Sequence, residues 1–161
     1  MEKTIYFIIG VSGCGKSTIG KLLAKQLNFS FFDGDDYHPE TNVAKMAAGQ
    51  PLNDDDRKGW LNTLNELASR HLQSGAVIAC SALKESYRTI LKHGLNKQYT
   101  FVYLEGSFEA INERMRARKG HFMPPALLKS QFADLEIPTD AITVSIQSAP
   151  EEIVSEILAA L

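Results

Sequence analysis

Long apolar segments and an excess of positive charge are both missing from this 161-residue chain. No hydrophobic run is long enough to span a bilayer, so we expect no membrane partner. The 17 Lys and Arg residues against 19 Asp and Glu residues give a net charge of −2, which argues against a nucleic-acid partner. Residues 1–4 do not have the pattern of a signal peptide, and we expect a cytoplasmic protein.

Cysteine is scarce as well. The two cysteines, Cys14 and Cys80, belong to no Cys-x-x-Cys pair and to no Cys/His zinc pattern. Cys80 ends an apolar run and is expected to be a reduced, buried thiol, whereas a redox role for Cys14 stays open. A length of 161 residues and a hydrophobic fraction of 44% suit one domain, 1–161, with a substantial core.

The most informative segment is 10–17, which fits G-x-x-x-x-G-K-[ST], the pattern of a phosphate-binding P-loop. An apolar run, 5–9, precedes it and an amphipathic segment follows, which favours a strand–loop–helix unit over a chance glycine-rich turn. The glycines permit positive φ, so that loop amides and the helix N-terminus can point at phosphate oxygens. Lys16 is expected to reach the β- and γ-phosphates, and Ser17 to ligate Mg²⁺. The residues assigned to nucleotide binding in this segment are Gly10, Ser12, Gly13, Cys14, Gly15, Lys16, Ser17 and Thr18.

Hydrophobic periodicity predicts five strands that alternate with helices. The strands are expected at 5–9, 29–32, 76–80, 100–104 and 142–146. Helices are expected from the P-loop to Asn28, at 39–49, from an Asn53 cap to Gly75, at 84–93, after Ser107, around 127–132, and from a Ser148–Glu151 capping box onward. This alternation indicates a three-layer α/β/α fold with a five-stranded parallel sheet covered by helices on both faces.

Polar segments follow several of these strands. In such folds ligands bind at the carboxyl ends of the strands, so the P-loop, 33–36 and 81–84 are expected to meet there. The third strand is followed by Ser81 instead of a Walker-B acid, and the metal needs another carboxylate. We assign Asp33 to Mg²⁺, through water, and Asp35 to the acceptor hydroxyl as orienting group and base. Both could instead be ordinary turn aspartates.

A basic stretch, 114–119, leads into Gly120 and two prolines. It predicts a mobile lid over 114–125 that places Arg114 and Arg118 on the phosphates and excludes water; a solvated helix face is the alternative. The guanine-binding Asn-Lys-x-Asp motif is absent, because 96–99 is Asn-Lys-Gln-Tyr. No Asp-x-x-Gly switch element is evident either. These features favour a small-molecule kinase over a switch GTPase.

Four segments carry a resemblance to a known family: GVSGCGKST (10–18), DGDDYHPETNVAKMAAGQPLNDDDRKGW (33–60), CSALKESYR (80–88) and RMRARKGHFMPPALLKSQFADLE (114–136). The chain resembles the gluconokinases over nearly its whole length; one departure is Gly59, where many relatives are expected to have proline. The resemblance implies a P-loop kinase that uses ATP and Mg²⁺ to phosphorylate D-gluconate at O6, giving 6-phospho-D-gluconate and ADP, and it implies a homodimer. The alternatives are a shikimate-like or nucleoside-monophosphate-like kinase and, in another class, a nucleotide-dependent binding module without transfer chemistry.

The resemblance also assigns roles to single residues. The expected catalytic residues are Lys16, Asp35 and Arg118. Arg118 and His121 resemble lid residues that act on phosphate and substrate, and Arg114 is expected on the nucleotide. The expected substrate-binding residues are Asp35, His38, Arg57, Lys84, Arg88, His121 and Gln131.

The side-chain chemistry suits a small anion with many hydroxyls. Arg57 is suited to bidentate capture of a carboxylate. Lys84 and Arg88 are four positions apart, and we expect both to point into the same cleft. Surface charges or structural histidines are the alternatives at these positions. Met46, Trp60 and Phe122 are expected to pack, and the adenine pocket is expected near 148–150.

Overall fold

The computed structural model describes residues 3–117 and 125–161. The strands are β1 (Ile5–Ile9), β2 (Ser30–Asp33), β3 (Ala76–Ala79), β4 (Tyr99–Glu105) and β5 (Ile142–Ser145). The helices are α1 (Lys16–Leu27), α2 (Glu40–Ala47), α3 (Asp54–Arg70), α4 (Glu85–Lys92), α5 (Phe108–Ala117), α6 (Pro125–Asp134) and α7 (Pro150–Ala159), with one 3₁₀ turn at Gly34–Tyr37. No helix in these described ranges is long and apolar enough to cross a bilayer.

All five strands are parallel and lie in the order β2-β3-β1-β4-β5, so the predicted five-stranded parallel sheet is confirmed. Strand β1 is central because every one of its residues is apolar and buried. It pairs with β3 on one side, Ile5 opposite Ala76, and with β4 on the other, Phe7 opposite Phe101. Side chains of α1, α3 and α7 join the strands in one hydrophobic core.

Several element ends differ from the prediction for identifiable reasons. Phe29 lies outside β2 because its amide donates to Ala24 O and closes the end of α1, after Asn28 has adopted a left-handed conformation. The predicted Ser148–Glu151 capping box is wrong: Ala149 precedes α7 without a side-chain cap, and Pro150 occupies the first helical position. Helix α3 ends at Arg70, before the predicted Gly75.

The predicted Asn53 cap is confirmed. Its side chain accepts the Asp56 amide at 2.8 Å, and the Asp56 carboxylate accepts the Asn53 amide at 2.9 Å, which completes a capping box. This cap fixes the start of α3 just before Arg57. The cap therefore fixes the position of Arg57 in the first turn of α3.

The carboxyl ends of the strands form the edge at which the polar segments meet. Gly10 follows β1 and donates its amide to Ser81 O, beyond β3, at 3.2 Å. A Cβ on Gly34 would lie 2.5 Å from Ala79 O, so only glycine lets the turn after β2 approach β3 this closely. Trp60 of α3 donates its indole N–H to Gly34 O at 2.7 Å. These contacts fix the Asp33–Asp35 turn next to the P-loop.

Candidate active site

The P-loop connects β1 to the N-terminus of α1. Gly13 has φ +82°, and a Cβ there would lie 2.7 Å from Met115 Cγ. Gly15 has φ +99° and directly precedes the helix. Both positions therefore require glycine, and the loop presents backbone amides at the positive end of a helix, as anion binding requires.

The loop lysine is held in place by two backbone carbonyls of the P-loop. Lys16 Nζ donates to Gly10 O at 3.1 Å and to Val11 O at 2.9 Å. These carbonyls belong to the first two residues of the loop. The ammonium group therefore lies over the loop, where a phosphate chain could exchange with the two carbonyls.

Two oxygen groups at the end of the P-loop suit a magnesium ion. Ser17 Oγ donates to Asp33 Oδ2 at 2.9 Å, and Asp33 Oδ1 accepts the Asp35 amide at 3.0 Å. A hydroxyl and a carboxylate are hard oxygen ligands, and Mg²⁺ takes few protein ligands because it keeps several waters. Residues 3–117 and 125–161 contain no group of three His, Cys, Asp or Glu side chains that could hold a metal ion. The donor set fits Mg²⁺ bound with nucleotide phosphates.

A cavity of about 310 Å³ adjoins the P-loop. This volume lies at the lower end of the range usual for small-molecule sites. Polar side chains assigned from the sequence converge on its wall: Lys16, Asp35, His38, Arg57 and Gln131. Apolar parts of Met46, Leu52, Trp60 and Leu127 complete it. Four of the predicted acceptor residues, Asp35, His38, Arg57 and Gln131, are therefore brought together. Lys84 and Arg88 are not on this wall, and His121 lies outside the described residues.

His38 stacks on Trp60, with ring centroids 4.1 Å apart. Its Nε2 lies 3.9 Å from Asp35 Oδ1. Burial lowers the pKa of His38, the Arg57 charge lowers it further, and the Asp35 carboxylate opposes both. The net direction keeps His38 neutral at neutral pH. Asp35 itself is exposed and open to the cavity.

Arg57 is only 6% exposed, yet it lines the cavity. Its Nη1 donates to Tyr87 Oη at 2.9 Å and to Asp134 Oδ2 at 3.4 Å. Its Nε and Nη2 groups make no hydrogen bond within the described ranges. One side of the guanidinium is fixed and the other can receive a carboxylate.

The Tyr87 hydroxyl donates in turn to Asp54 Oδ1. Lys84 Nζ donates to the same carboxylate oxygen at 3.0 Å. These two bonds hold the pKa of Asp54 below its usual range. Lys84 borders a shallower depression that adjoins the cavity and shares Arg57 with it. Lys84 therefore lies at the mouth of the site instead of inside it.

Arg88 does not reach the cleft, and the prediction that it does is wrong. It is 2% exposed, and its guanidinium donates to Ala82 O and to Glu136 O, each at 2.8 Å. The four-residue spacing puts two side chains on one face only when both residues are helical. Lys84 precedes α4 with an extended backbone, φ −108° and ψ 151°, so Lys84 and Arg88 diverge.

Gln131 of α6 contacts the P-loop directly. Its Oε1 accepts the Ser12 amide at 2.7 Å, and its Nε2 donates to Ser12 Oγ at 2.9 Å. The residue was expected to contact a substrate hydroxyl. It lies on the cavity wall, and both ends of its amide are bound to Ser12.

A second cavity, of about 340 Å³, lies on the other side of the P-loop. Its wall includes Gly15, Thr18, Arg114, Ser148 and Pro150. Arg114 also donates to Ile146 O, beyond β5. The cavity lies next to the loop at 148–150, where the adenine pocket was expected.

Neither cysteine has the environment of a reactive thiol. Burial raises the pKa of Cys14, although the Lys16 charge and two backbone hydrogen bonds oppose the shift. Burial raises the pKa of Cys80 to about 12. Both groups are fully protonated at neutral pH, and the structure gives no support for a redox role at Cys14.

Two predicted residues, Arg118 and His121, lie outside the described residues, as does most of the predicted lid. Three residues in this site were missed by the sequence analysis: Asn42, Tyr87 and Asp134. Tyr87 lies inside the 80–88 motif and Asp134 inside 114–136, so the motifs contained them. No local pattern distinguishes Tyr87 and Asp134, because their partner Arg57 is 30 and 77 positions away in sequence. Asn42 lies inside the 33–60 motif and only four positions after one of its partners, His38.

Comparison with known proteins agrees with this geometry. Residues 12–161 match the family model described as shikimate kinase. The chain is 45% identical to the thermoresistant gluconokinase of Escherichia coli (strain K12), with 94% of this chain and 89% of that protein covered. It is 44% identical to the probable gluconokinase of Rattus norvegicus, with 98% and 97% covered.

Solved structures give the same result. The crystal structure of a gluconokinase from Sinorhizobium meliloti 1021 is 41% identical, has a TM-score of 0.90, and covers 98% of this chain and 90% of its own. A shikimate kinase from Aquifex aeolicus vf5 has a TM-score of 0.65 at 24% identity, covers 98% of this chain and 95% of its own, and supports the fold alone. These similarities confirm the resemblance expected from the four sequence motifs and the predicted P-loop kinase fold.

Proposed function

The chain belongs to the gluconokinase family of P-loop kinases, and from that premise we propose that it transfers the γ-phosphate of ATP to the O6 hydroxyl of D-gluconate. The products are 6-phospho-D-gluconate and ADP. The observation that carries this proposal is the cavity shared by Lys16, Asp35 and Arg57. A phosphate-binding lysine, a carboxylate base and a cation for the substrate's carboxylate all line one space.

The P-loop side of the cavity binds the phosphates. Amides of the loop and the N-terminus of α1 stabilise negative charge, and Lys16 moves from its two carbonyl partners to the β- and γ-phosphates. Ser17 and Asp33 would hold Mg²⁺, Asp33 through water, and the ion would shield charge on the phosphate oxygens when bound. Phosphoryl transfer needs little covalent participation by the protein, so positioning and charge stabilisation supply most of the rate.

The opposite side of the cavity orients the acceptor. Arg57 receives the gluconate carboxylate through the guanidinium edge that Tyr87 and Asp134 leave open. With the carboxylate fixed there, the far end of the six-carbon chain extends toward Asp35. Asp35 accepts the proton of the O6 hydroxyl as the oxygen attacks the γ-phosphorus. His38 and Gln131 bind hydroxyl groups along the chain, and Lys84 contributes positive charge at the mouth.

Three further assignments extend this proposal. Arg118 and His121 act on phosphate and substrate from the lid, together with Arg114. The enzyme is a homodimer that works in the cytoplasm, where ATP is supplied. Light scattering on the purified protein tests the dimer, and activity after EDTA treatment, with and without added Mg²⁺, tests the metal.

The deciding experiment is a coupled assay of ADP release with Mg²⁺ and gluconate, shikimate, AMP or no acceptor. Release should require gluconate. Asp35→Asn should lower kcat by about 10²–10⁴, the usual contribution of general-base catalysis. Asp36→Asn is the matched control, because Asp36 is an exposed carboxylate on the same 3₁₀ turn and does not line the cavity.

Other results would contradict the proposal in specific ways. ADP release that needs no acceptor would indicate an ATPase or switch protein. Turnover with shikimate or AMP in place of gluconate would keep the P-loop chemistry and overturn the substrate. Full activity in Asp35→Asn would show that Asp35 is not the base.

A further inference from the structure

Helix α2 is anchored by a polar residue. Asn42 is 2% exposed and is the one buried residue of α2. Its Nδ2 donates to Asp56 O of α3 at 2.8 Å and lies 3.2 Å from His38 Nδ1. A helix of this kind usually buries an apolar side chain, which costs less than burying an amide. The burial of this amide therefore depends on the hydrogen bonds that it makes.

The contact with Asp56 decides the orientation of the amide. A backbone carbonyl oxygen can only accept, so the group that faces it must be the NH₂ end of Asn42. The second hydrogen of the same NH₂ group then points at His38 Nδ1. Two donors cannot pair, and His38 Nδ1 must be the unprotonated nitrogen of the ring. The ring proton of neutral His38 is consequently on Nε2.

That proton faces the proposed base. His38 Nε2 lies 3.9 Å from Asp35 Oδ1, too far for a direct hydrogen bond. Two atoms at this separation can each lie about 2.8 Å from one hydroxyl oxygen between them. In that arrangement the hydroxyl accepts from Nε2–H and donates to the carboxylate. The opposite tautomer would offer two acceptors and leave the hydroxyl oxygen without a donor.

We propose that Asn42 is a positioning residue that fixes His38 in the Nε2–H tautomer, so that His38 and Asp35 together hold one hydroxyl group of the acceptor. This inference rests on the proposed function for the identity of the acceptor. The charged groups around His38 are Asp35 on the 3₁₀ turn and Arg57 on α3, while Asp56 contributes its backbone carbonyl through Asn42. Trp60 covers one face of the ring.

The tautomer can be measured directly on the unliganded protein. Long-range ¹H–¹⁵N spectra of ¹⁵N-labelled protein at about pH 7.5 separate protonated from unprotonated ring nitrogens, and His38→Gln identifies the His38 signals. We expect unprotonated Nδ1 and protonated Nε2. A spectrum with a proton on Nδ1, or with the two tautomers averaged, overturns the proposal without any need for an Asn42 variant to fold.

Asn42→Asp tests cause and effect. The carboxylate has the shape of the amide but can only accept, so Nδ1 should become protonated and its signal should move to the protonated range. The kcat/KM for gluconate should fall by roughly tenfold, the size expected for one lost hydrogen bond in the transition state. An unchanged Nδ1 signal, or a changed tautomer with unchanged kcat/KM, contradicts the proposal.

Asn65→Asp is the matched control. Like Asn42, Asn65 uses both hydrogens of its amide, but it donates both to backbone carbonyls, Leu91 O and His93 O, each at 2.8 Å. It lies on α3 and does not line the cavity. We expect this variant to lose stability while the His38 signals and the KM for gluconate stay as in the parent protein. Failure of the proposed function can be told apart from failure of this inference. In the first case the parent protein would show the expected His38 spectrum but no gluconate-dependent ADP release.

Discussion

Replacing Tyr87 by Phe removes one oxygen atom from behind the guanidinium that is proposed to bind the substrate carboxylate. The hydroxyl accepts Arg57 Nη1 at 2.9 Å and donates to Asp54. Tyr87 is 3% exposed, so phenylalanine fills the same space without a cavity. After the substitution Asp134, at 3.4 Å, is the hydrogen-bond partner of Arg57 that remains among residues 3–117 and 125–161. Tyr87→Phe therefore tests orientation of Arg57 without removing its charge.

The size of the effect follows from the lost bond. A hydrogen bond to a charged group contributes about 1.5–3 kcal/mol, and Asp134 compensates for part of it. We therefore expect a loss of about 1–2 kcal/mol in gluconate kcat/KM, which is a factor of about 5–30. The loss should appear in the KM for gluconate, because the carboxylate is bound equally in the ground state and the transition state. The kcat and the KM for ATP should stay within about twofold.

Steady-state ADP release at varied gluconate and varied ATP measures these constants. Tyr6→Phe is a suitable control, because Tyr6 is 5% exposed on β1 and does not line the cavity. The reasoning is refuted if Tyr87→Phe leaves the KM for gluconate unchanged. It is also refuted if the loss falls on kcat or on the KM for ATP.

Two further predictions concern stability. Arg88→Met should lower the free energy of unfolding, measured in urea, by about 3 kcal/mol, because Ala82 O and Glu136 O lose their buried donor. The folded fraction of this variant should keep the KM for gluconate. A stable variant that cannot bind gluconate would contradict this prediction. Hydrogen bonds from Lys45 and from a backbone amide lower the pKa of Asp56 in the folded protein. The charged form of Asp56 therefore stabilises the fold at any pH above its pKa in the unfolded chain, about 4. This stabilisation is lost as pH falls through the pKa of Asp56 in the folded protein. Asp56→Asn should accordingly be less stable than the parent at pH 7, with a gap in urea midpoint that closes as pH falls through the folded pKa of Asp56; a gap independent of pH would contradict it.

The P-loop and the sheet could be predicted because their requirements are local. Glycine at positions with positive φ, followed directly by Lys16 and Ser17, specifies a phosphate loop wherever a strand precedes it. The apolar runs of β1 and β3 indicate buried parallel strands before any partner is known. The position of the carboxylates after β2 could be predicted because the carboxyl ends of the strands in a parallel sheet meet at one edge.

The residues around Arg57 could not be predicted in this way. Tyr87 is 30 positions away in sequence and Asp134 is 77 positions away, so no periodicity relates them to the guanidinium. The assignment of Arg88 to the cleft was wrong because it treated Lys84 and Arg88 as parts of one helix, whereas Lys84 precedes α4 with an extended backbone. The spacing also does not say whether the face of α4 that carries Arg88 meets the cleft or the core. Only the packing of α4 against the segment at Glu136 decides this. Tertiary contacts thus determine which of several plausible cations reaches the substrate.

Trp60 has one more consequence. It is the single tryptophan of the chain, and it lies between the carbonyl of Gly34 and the ring of His38, on the wall of the acceptor cavity. Indole emission responds to changes in nearby polar groups, and here no second indole contributes a background. The protein therefore has a built-in optical probe at its acceptor site. Intrinsic fluorescence can follow acceptor binding in the absence of nucleotide, when no turnover takes place.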